Sequence, residues 1–244
     1  MEPMTRTAIQ LYTLRELNEP LPDLLARVGE AGFDGVEFAG LGDADPAAVT
    51  DALDDAGLEA AAAHVPIGEL EDDPGRVARE YHRLGCEWVV VPYLEAAHFE
   101  SREAATRTAR RLDELAARME GHSTSLGYHN HDHEFASVDG ETGFEVFLSE
   151  SEVEIELDIG WAVAAGADPR SLLRSLGDRV PLVHVKDTHD GEPVELGDGD
   201  VDLTACVDTA KEVGADWLVY EHDNPADPLA SLAHGAERLR ELNG

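Results

Sequence analysis

The run Gly127-Tyr128-His129-Asn130-His131-Asp132-His133-Glu134-Phe135 places three of the chain's eleven histidines on alternate residues and closes on two acids and an aromatic. Alternate residues share one face of a β-strand, so a strand over Ser125 to Asn130 starts His129, His131 and His133 off in the same direction. Imidazoles beside carboxylates suit a divalent metal. Similar residues recur elsewhere in the chain: Glu37 between Val36 and Phe38, His64 before Val65-Pro66, Asp158 before Ile159-Gly160, His184 between Val183 and Val185, and Glu221 after Tyr220. Taken singly, Asp158 could cap a turn, His184 could be a hydrogen-bonded core histidine and Glu221 a solvated strand end. Glu37 is harder to dismiss, because an inward carboxylate needs a partner. Unrelated caps need not fall on successive strand ends, and these residues do.

The elements that must position them follow from apolar patterning. Strands are expected at Thr7–Tyr12, Gly35–Ala39, Leu58–His64, Trp88–Pro92, a fifth ending in the histidine cluster, Val153–Ile159, Val180–Val185 and Trp217–Tyr220. Between them, helical spacing covers Pro20–Ala31, Pro46–Ala56, Pro74–Leu84, Glu100–Glu120, Thr142–Ser149, Pro169–Leu176, Leu203–Val213 and Pro228–Leu242, several closed by a glycine. Eight strands alternating with eight helices over residues 1–244, with no linker or break in composition, predict one α/β domain, a single (β/α)8 TIM-type barrel. An open parallel sheet is the alternative. It would normally carry a glycine-rich first turn, and Leu11-Tyr12-Thr13-Leu14 is not one. In a barrel the strand ends meet at one mouth. The steps from His129 to Asp158, His184 and Glu221 are 29, 26 and 37 residues, each about one strand–helix repeat. Four consecutive strands would therefore bring these four residues to one rim.

Composition excludes some classes. With 52 acidic and 18 basic residues, the formal charge is −34. A chain so acidic repels nucleic acid and anionic membranes unless a basic patch intervenes, and no run of Lys or Arg supplies one. The acids are dispersed and only two lysines occur, Lys186 and Lys211, a halophilic type of surface whose self-repulsion salt would screen. Cys86 and Cys206 give no disulfide framework. No apolar stretch approaches the roughly 20 residues that cross a bilayer, and the N-terminus lacks the pattern of a signal peptide. A soluble cytoplasmic protein is expected, with a homo-oligomer left open.

These motifs together resemble the sugar phosphate isomerase/epimerase family of xylose isomerase-like TIM barrels. The resemblance rests on Gly127–His131 with Glu134-Phe135, Leu157-Asp158-Ile159-Gly160-Trp161, His184-Val185-Lys186-Asp187 and Tyr220-Glu221-His222. Ile9–Arg15 and Gly35–Phe38 add to it, so it spans nearly the whole chain. It implies one divalent metal (Mn, Mg, Co or Zn) held by His129, Asp158, His184 and Glu221, with His131 competing with His129 for the first place. His129 stands where many members carry Glu, so Glu134 is a candidate for the missing carboxylate. Catalysis is expected from Glu221, Glu134 and Lys186, and contact with a small sugar substrate from Glu37, His64, Asn130, His131 and Trp161. The implied reaction is isomerisation or epimerisation by proton transfer beside a carbonyl. The alternatives are a lyase or dehydratase acting on a keto-inositol or 3-keto-glycoside, and a sugar-binding barrel without catalysis. A related class, the apurinic endonucleases, is disfavoured by the charge and by the single ligand set.

Overall fold

A computed structural model describes residues 5–119 and 121–244. Eight parallel strands close a barrel: β1 (Arg6–Gln10), β2 (Gly35–Phe38), β3 (Glu59–His64), β4 (Trp88–Val91), β5 (Ser125–His129), β6 (Glu154–Asp158), β7 (Leu182–Val185) and β8 (Trp217–Tyr220). Each pairs with its sequence neighbours, and β1 pairs with β8 from Arg6↔Trp217 to Ile9↔Tyr220, which shuts the ring. Closure leaves the barrel strands without an exposed edge. A helix follows every strand, the longest being Arg102–Met119. The expected Glu120 end of that helix lies outside the described residues.

Sidedness along the strands explains where the site falls. Near the bottom of the barrel, inward positions are apolar: Ala8, Ala62, Trp88, Val90, Trp217 and Val219 pack inside it. Two residues beyond Ala8, Ala62, Leu182 and Val219 the inner face turns polar at Gln10, His64, His184 and Glu221, while β6 presents Glu156 and Asp158. Outward positions such as Val36, Leu157, Val183 and Leu218 belong to the layer shared with the helices. Gly35 is part of this plan, since a Cβ there would lie 2.7 Å from the Trp217 ring that fills the barrel base.

Several expected boundaries shift for local reasons. β1 stops at Gln10, whose side-chain oxygen accepts from the Tyr12 amide and starts a short 3₁₀ turn over Leu11–Leu14. β6 stops at Asp158, because that residue caps a short helix, Ile159–Ala164, through the Trp161 amide. β5 stops at His129, and Asp132–Phe135 is a 3₁₀ turn rather than a continuation of the strand. The Gly- and Asp-rich segment after β7 opens as an antiparallel ribbon, Asp187–His189 with Glu192–Val194.

Candidate active site

His129 at the end of β5, Asp158 at the end of β6, His184 in β7 and Glu221 just past β8 converge, each offering one ligand atom within 4.8 Å of the others. His129 Nε2 is 3.3 Å from Asp158 Oδ2, and His184 Nδ1 is 3.1 Å from Glu221 Oε2. The His129 ring is set by its other nitrogen, Nδ1, which donates to the Pro92 carbonyl at 3.2 Å and leaves Nε2 for the centre. Asp158 is fixed twice. Its Oδ1 accepts from the Trp161 amide at 2.8 Å, and the Asn130 amide clamps its backbone, accepting from its N–H at 2.9 Å and donating to its carbonyl at 3.3 Å. Asn130, expected to touch substrate, is fully buried with both ends of its amide used in this way. Two imidazoles and two carboxylates without a thiolate suit Mn²⁺, Mg²⁺, Co²⁺ or Zn²⁺.

A second layer lies beneath. His184 Nε2 faces Glu37 Oε2 at 2.7 Å and Glu156 Oε2 at 3.2 Å. His64 Nε2 is 2.6 Å from Glu156, and the Gln10 amide donates to Glu37 at 2.7 Å. Burial, together with the neighbouring Glu156 charge, pushes the Glu37 carboxyl up to about 7. Burial acts the same way on Glu156, but His184 and His64 outweigh it and hold that carboxyl well below the usual range. Carboxylates behind a ligating imidazole orient the ring and raise its basicity. Glu37 was therefore legible as an inward acid, but its partner is His184 rather than the open cavity. Glu156 was missed. Its signal was present in Glu154-Ile155-Glu156-Leu157-Asp158, where acids alternate with aliphatics on a strand and so share the inner face.

Lys186 carries the strongest electrostatic feature. Its ammonium lies 2.9 Å from Asp158, 2.9 Å from Glu221 and 2.7 Å from Asp223, and 4.6 Å from the centre of the Trp161 ring. Burial disfavours its charge, yet the three carboxylates outweigh burial and hold it protonated, above its ordinary value. The same pairing draws Asp158 down to about 2 against the opposing effect of burial. Room for the lysine stem comes from Gly160, where a Cβ would sit 2.7 Å from Lys186 Cγ.

The histidine run divides by role. His131 is not in the ligand set; it lies on the cavity wall, stacked near Trp161 (5.8 Å) and edge-on to Tyr93 (5.0 Å). Burial, helped by nearby His129 and Lys186, lowers its pKa to about 2, so the ring is neutral. His133 turns away to bond the Leu94 carbonyl at 2.8 Å. Glu134 is fully buried: it accepts from the Tyr128 hydroxyl and, at 3.0 Å, from the His131 amide. Its carboxyl braces the turn behind the histidines and does not line the cavity, because the chain leaves the strand at His129. Above the ligand set opens a cavity of about 340 Å³, walled by Tyr12, His64, Tyr93, His131, Glu221 and Asp223 among others. A larger hollow of about 1020 Å³ lies at the opposite end, beside Trp88, Asp113 and Glu154. The two His–carboxylate clusters among the described residues are at the mouth, the end where barrel chemistry is built.

Fold and site together define a TIM barrel with a histidine–carboxylate centre at the C-terminal ends of its strands. The chain belongs to the xylose isomerase-like TIM barrel family, whose model matches residues 25–242. It is 25% identical to the rhizopine catabolism protein MocC of Rhizobium meliloti, over 91% of this chain and 82% of that protein. It is 28% identical to an inosose dehydratase of Geobacillus kaustophilus, over 68% of this chain and 62% of the relative. A sugar phosphate isomerase/epimerase from Parabacteroides distasonis shares the fold, with a TM-score of 0.85 at 22% identity over 98% of this chain and 95% of that one.

Proposed function

We propose that the protein is a metal-dependent enzyme that moves a proton at the carbon beside the carbonyl of a sugar or polyol, as an isomerase or epimerase. The observation that carries this reading is the convergence of His129, Asp158, His184 and Glu221 from four consecutive strands beneath an open cavity. A divalent ion held by these four would supply Lewis acidity toward the oxygens of the substrate. Glu221 lines the cavity. Lys186 and His184 overcome the effect of its burial and hold it well below the usual carboxylate range, so it is ionised. His64 also faces the cavity with Nε2 on Glu156, which makes it a second proton-carrying group. Lys186 keeps the charge of Asp158 and Glu221 balanced, and its role toward a developing negative oxygen is electrostatic. Glu134 serves as a positioning residue for the His129–His131 turn, and Trp161 backs His131 and Lys186.

A dehydratase or lyase is the second reading. It is favoured by the similarity to an inosose dehydratase, and His129, which leaves the ligand set with two carboxylates instead of three, suits one-base isomerisation or elimination better than two-base epimerisation. Both chemistries begin by removing a proton beside a carbonyl. The test is solvent deuterium uptake by keto- and aldo-sugars, inososes and 3-keto-glycosides with Mn²⁺ present. Exchange without loss of water supports isomerase or epimerase chemistry, and exchange with loss of a β-substituent supports the lyase. Sugar binding without metal or exchange would identify a binding protein instead.

A further inference from the structure

The cavity offers nothing to neutralise a phosphate. Among the described residues no Lys or Arg lines it, whereas Glu221 and Asp223 do. Lys186 is fully buried behind these acids and already shared among three carboxylates at 2.7–2.9 Å. A divalent ion in the ligand set and Lys186 together carry three positive charges, matched by Asp158, Glu221 and Asp223. At the rim, the Arg15 guanidinium lies 4.0 Å from the centre of the Tyr12 ring, donates to the Tyr12 carbonyl at 3.0 Å and faces Glu16 at 3.7 Å. In the groove adjoining Ala39 and Pro66, Arg76 is paired with Glu80 at 2.6 Å and Glu69 at 3.9 Å. Lys186, Arg15 and Arg76 are thus each answered by at least one acid, on a chain of net charge −34. A phosphate group carries about −1.5 to −2 at neutral pH and would enter this opening uncompensated.

The walls point to what does fit. Tyr12 and Tyr93 are 43% and 50% exposed, unusual for large apolar side chains in this protein, and both face the same cavity. Pro66 and Pro92 add further apolar surface, while His131, Glu221 and Asp223 offer polar atoms. Aromatic faces beside a few hydrogen-bonding groups suit the C–H face and the hydroxyls of a ring. We infer that the site takes an uncharged sugar or cyclic polyol and discriminates against its phosphate esters. This inference rests on the proposed sugar chemistry and adds the charge class of the substrate.

The test is equilibrium binding to the Mn²⁺-loaded protein, by calorimetry, in low and high KCl. Matched probes are D-fructose and D-fructose 6-phosphate, D-glucose and D-glucose 6-phosphate, and myo-inositol and myo-inositol 1-phosphate. In any pair that binds, the free compound should bind at least tenfold tighter at low salt. The gap should narrow in KCl as the repulsion is screened. Ala39→Arg adds a cation to an exposed wall position and should strengthen ester binding several-fold, with the free compound little changed. Tyr93→Ala should weaken the free compound about fivefold. An ester that binds as tightly as its free partner at low salt overturns the inference and leaves the sugar chemistry standing, as does an Ala39→Arg protein with no gain for the ester. Unchanged affinity in Tyr93→Ala overturns the ring-stacking part. If no pair binds at either salt, the sugar reading itself fails and this inference fails with it.

Discussion

At the scale of single residues, the site is a set of side chains whose freedom has been removed by others. On the proposed reading Glu221 moves the proton, so Glu221→Gln should keep the shape and lose the base. Solvent-proton exchange into substrate is expected to fall by roughly 100- to 10,000-fold while substrate still binds, and wild-type exchange in that variant would move the base to His64. Asp158→Ala and His184→Ala should each abolish stoichiometric metal binding, measured by elemental analysis, with circular dichroism unchanged. Asn130 allows a finer test, because it touches Asp158 only through the backbone. Asn130→Ala should weaken metal affinity by about 10- to 100-fold, the usual effect of losing an outer-shell partner. An unaltered affinity would show that the clamp is dispensable.

At the scale of elements, the geometry depends on where strands stop. β6 ends at Asp158 because the next residues turn into a helix that this aspartate caps, and β5 ends at His129 because Glu134 folds the following turn back on His131. Between β2 and β3 the register slips by one residue at Val36/Glu37, and such irregularities often re-aim a side chain beside a site. The start of the helix after β6 must also let the Lys186 stem pass. Gly160→Ala puts a methyl 2.7 Å from Lys186 Cγ, against side chain and backbone that have little room to move. A loss of about 1–3 kcal/mol is expected from such overpacking, read as a lower midpoint in urea, with Lys186 displaced from its three carboxylates. A midpoint equal to wild type would mean that the helix start shifts without cost.

At the scale of the whole molecule, two facts dominate: the barrel is closed, and its surface is strongly acidic. With 52 acids against 18 bases, self-repulsion works against the compact state, and added salt screens it. The melting temperature should therefore rise from low to multimolar KCl, and a fall would remove the halophilic reading of the surface.

The eight strand–helix repeats were legible because apolar periodicity and glycine stops are local, and closure followed from their number. The recurrence of His129, Asp158, His184 and Glu221 at about one repeat apart was legible for the same reason, since repeat length maps sequence separation onto neighbouring strands. Direction beyond a strand end was not. Alternation carried His131 and His133 along with His129 only while the strand lasted, and hydrogen bonds to Glu134 and Leu94 sent them elsewhere. The deeper layer was hidden more completely, because His64 meets Glu156 across 92 residues and Glu37 meets His184 across 147. Such pairs exist only once the barrel has closed, when buried charges must find whichever partners the opposite strands present. The sequence by itself determined which residues could form a metal centre and on which strands they lie. Tertiary structure alone decided which imidazole nitrogen faces it, which carboxylates stand behind it, and that Lys186 is held among three acids instead of reaching freely into the cavity.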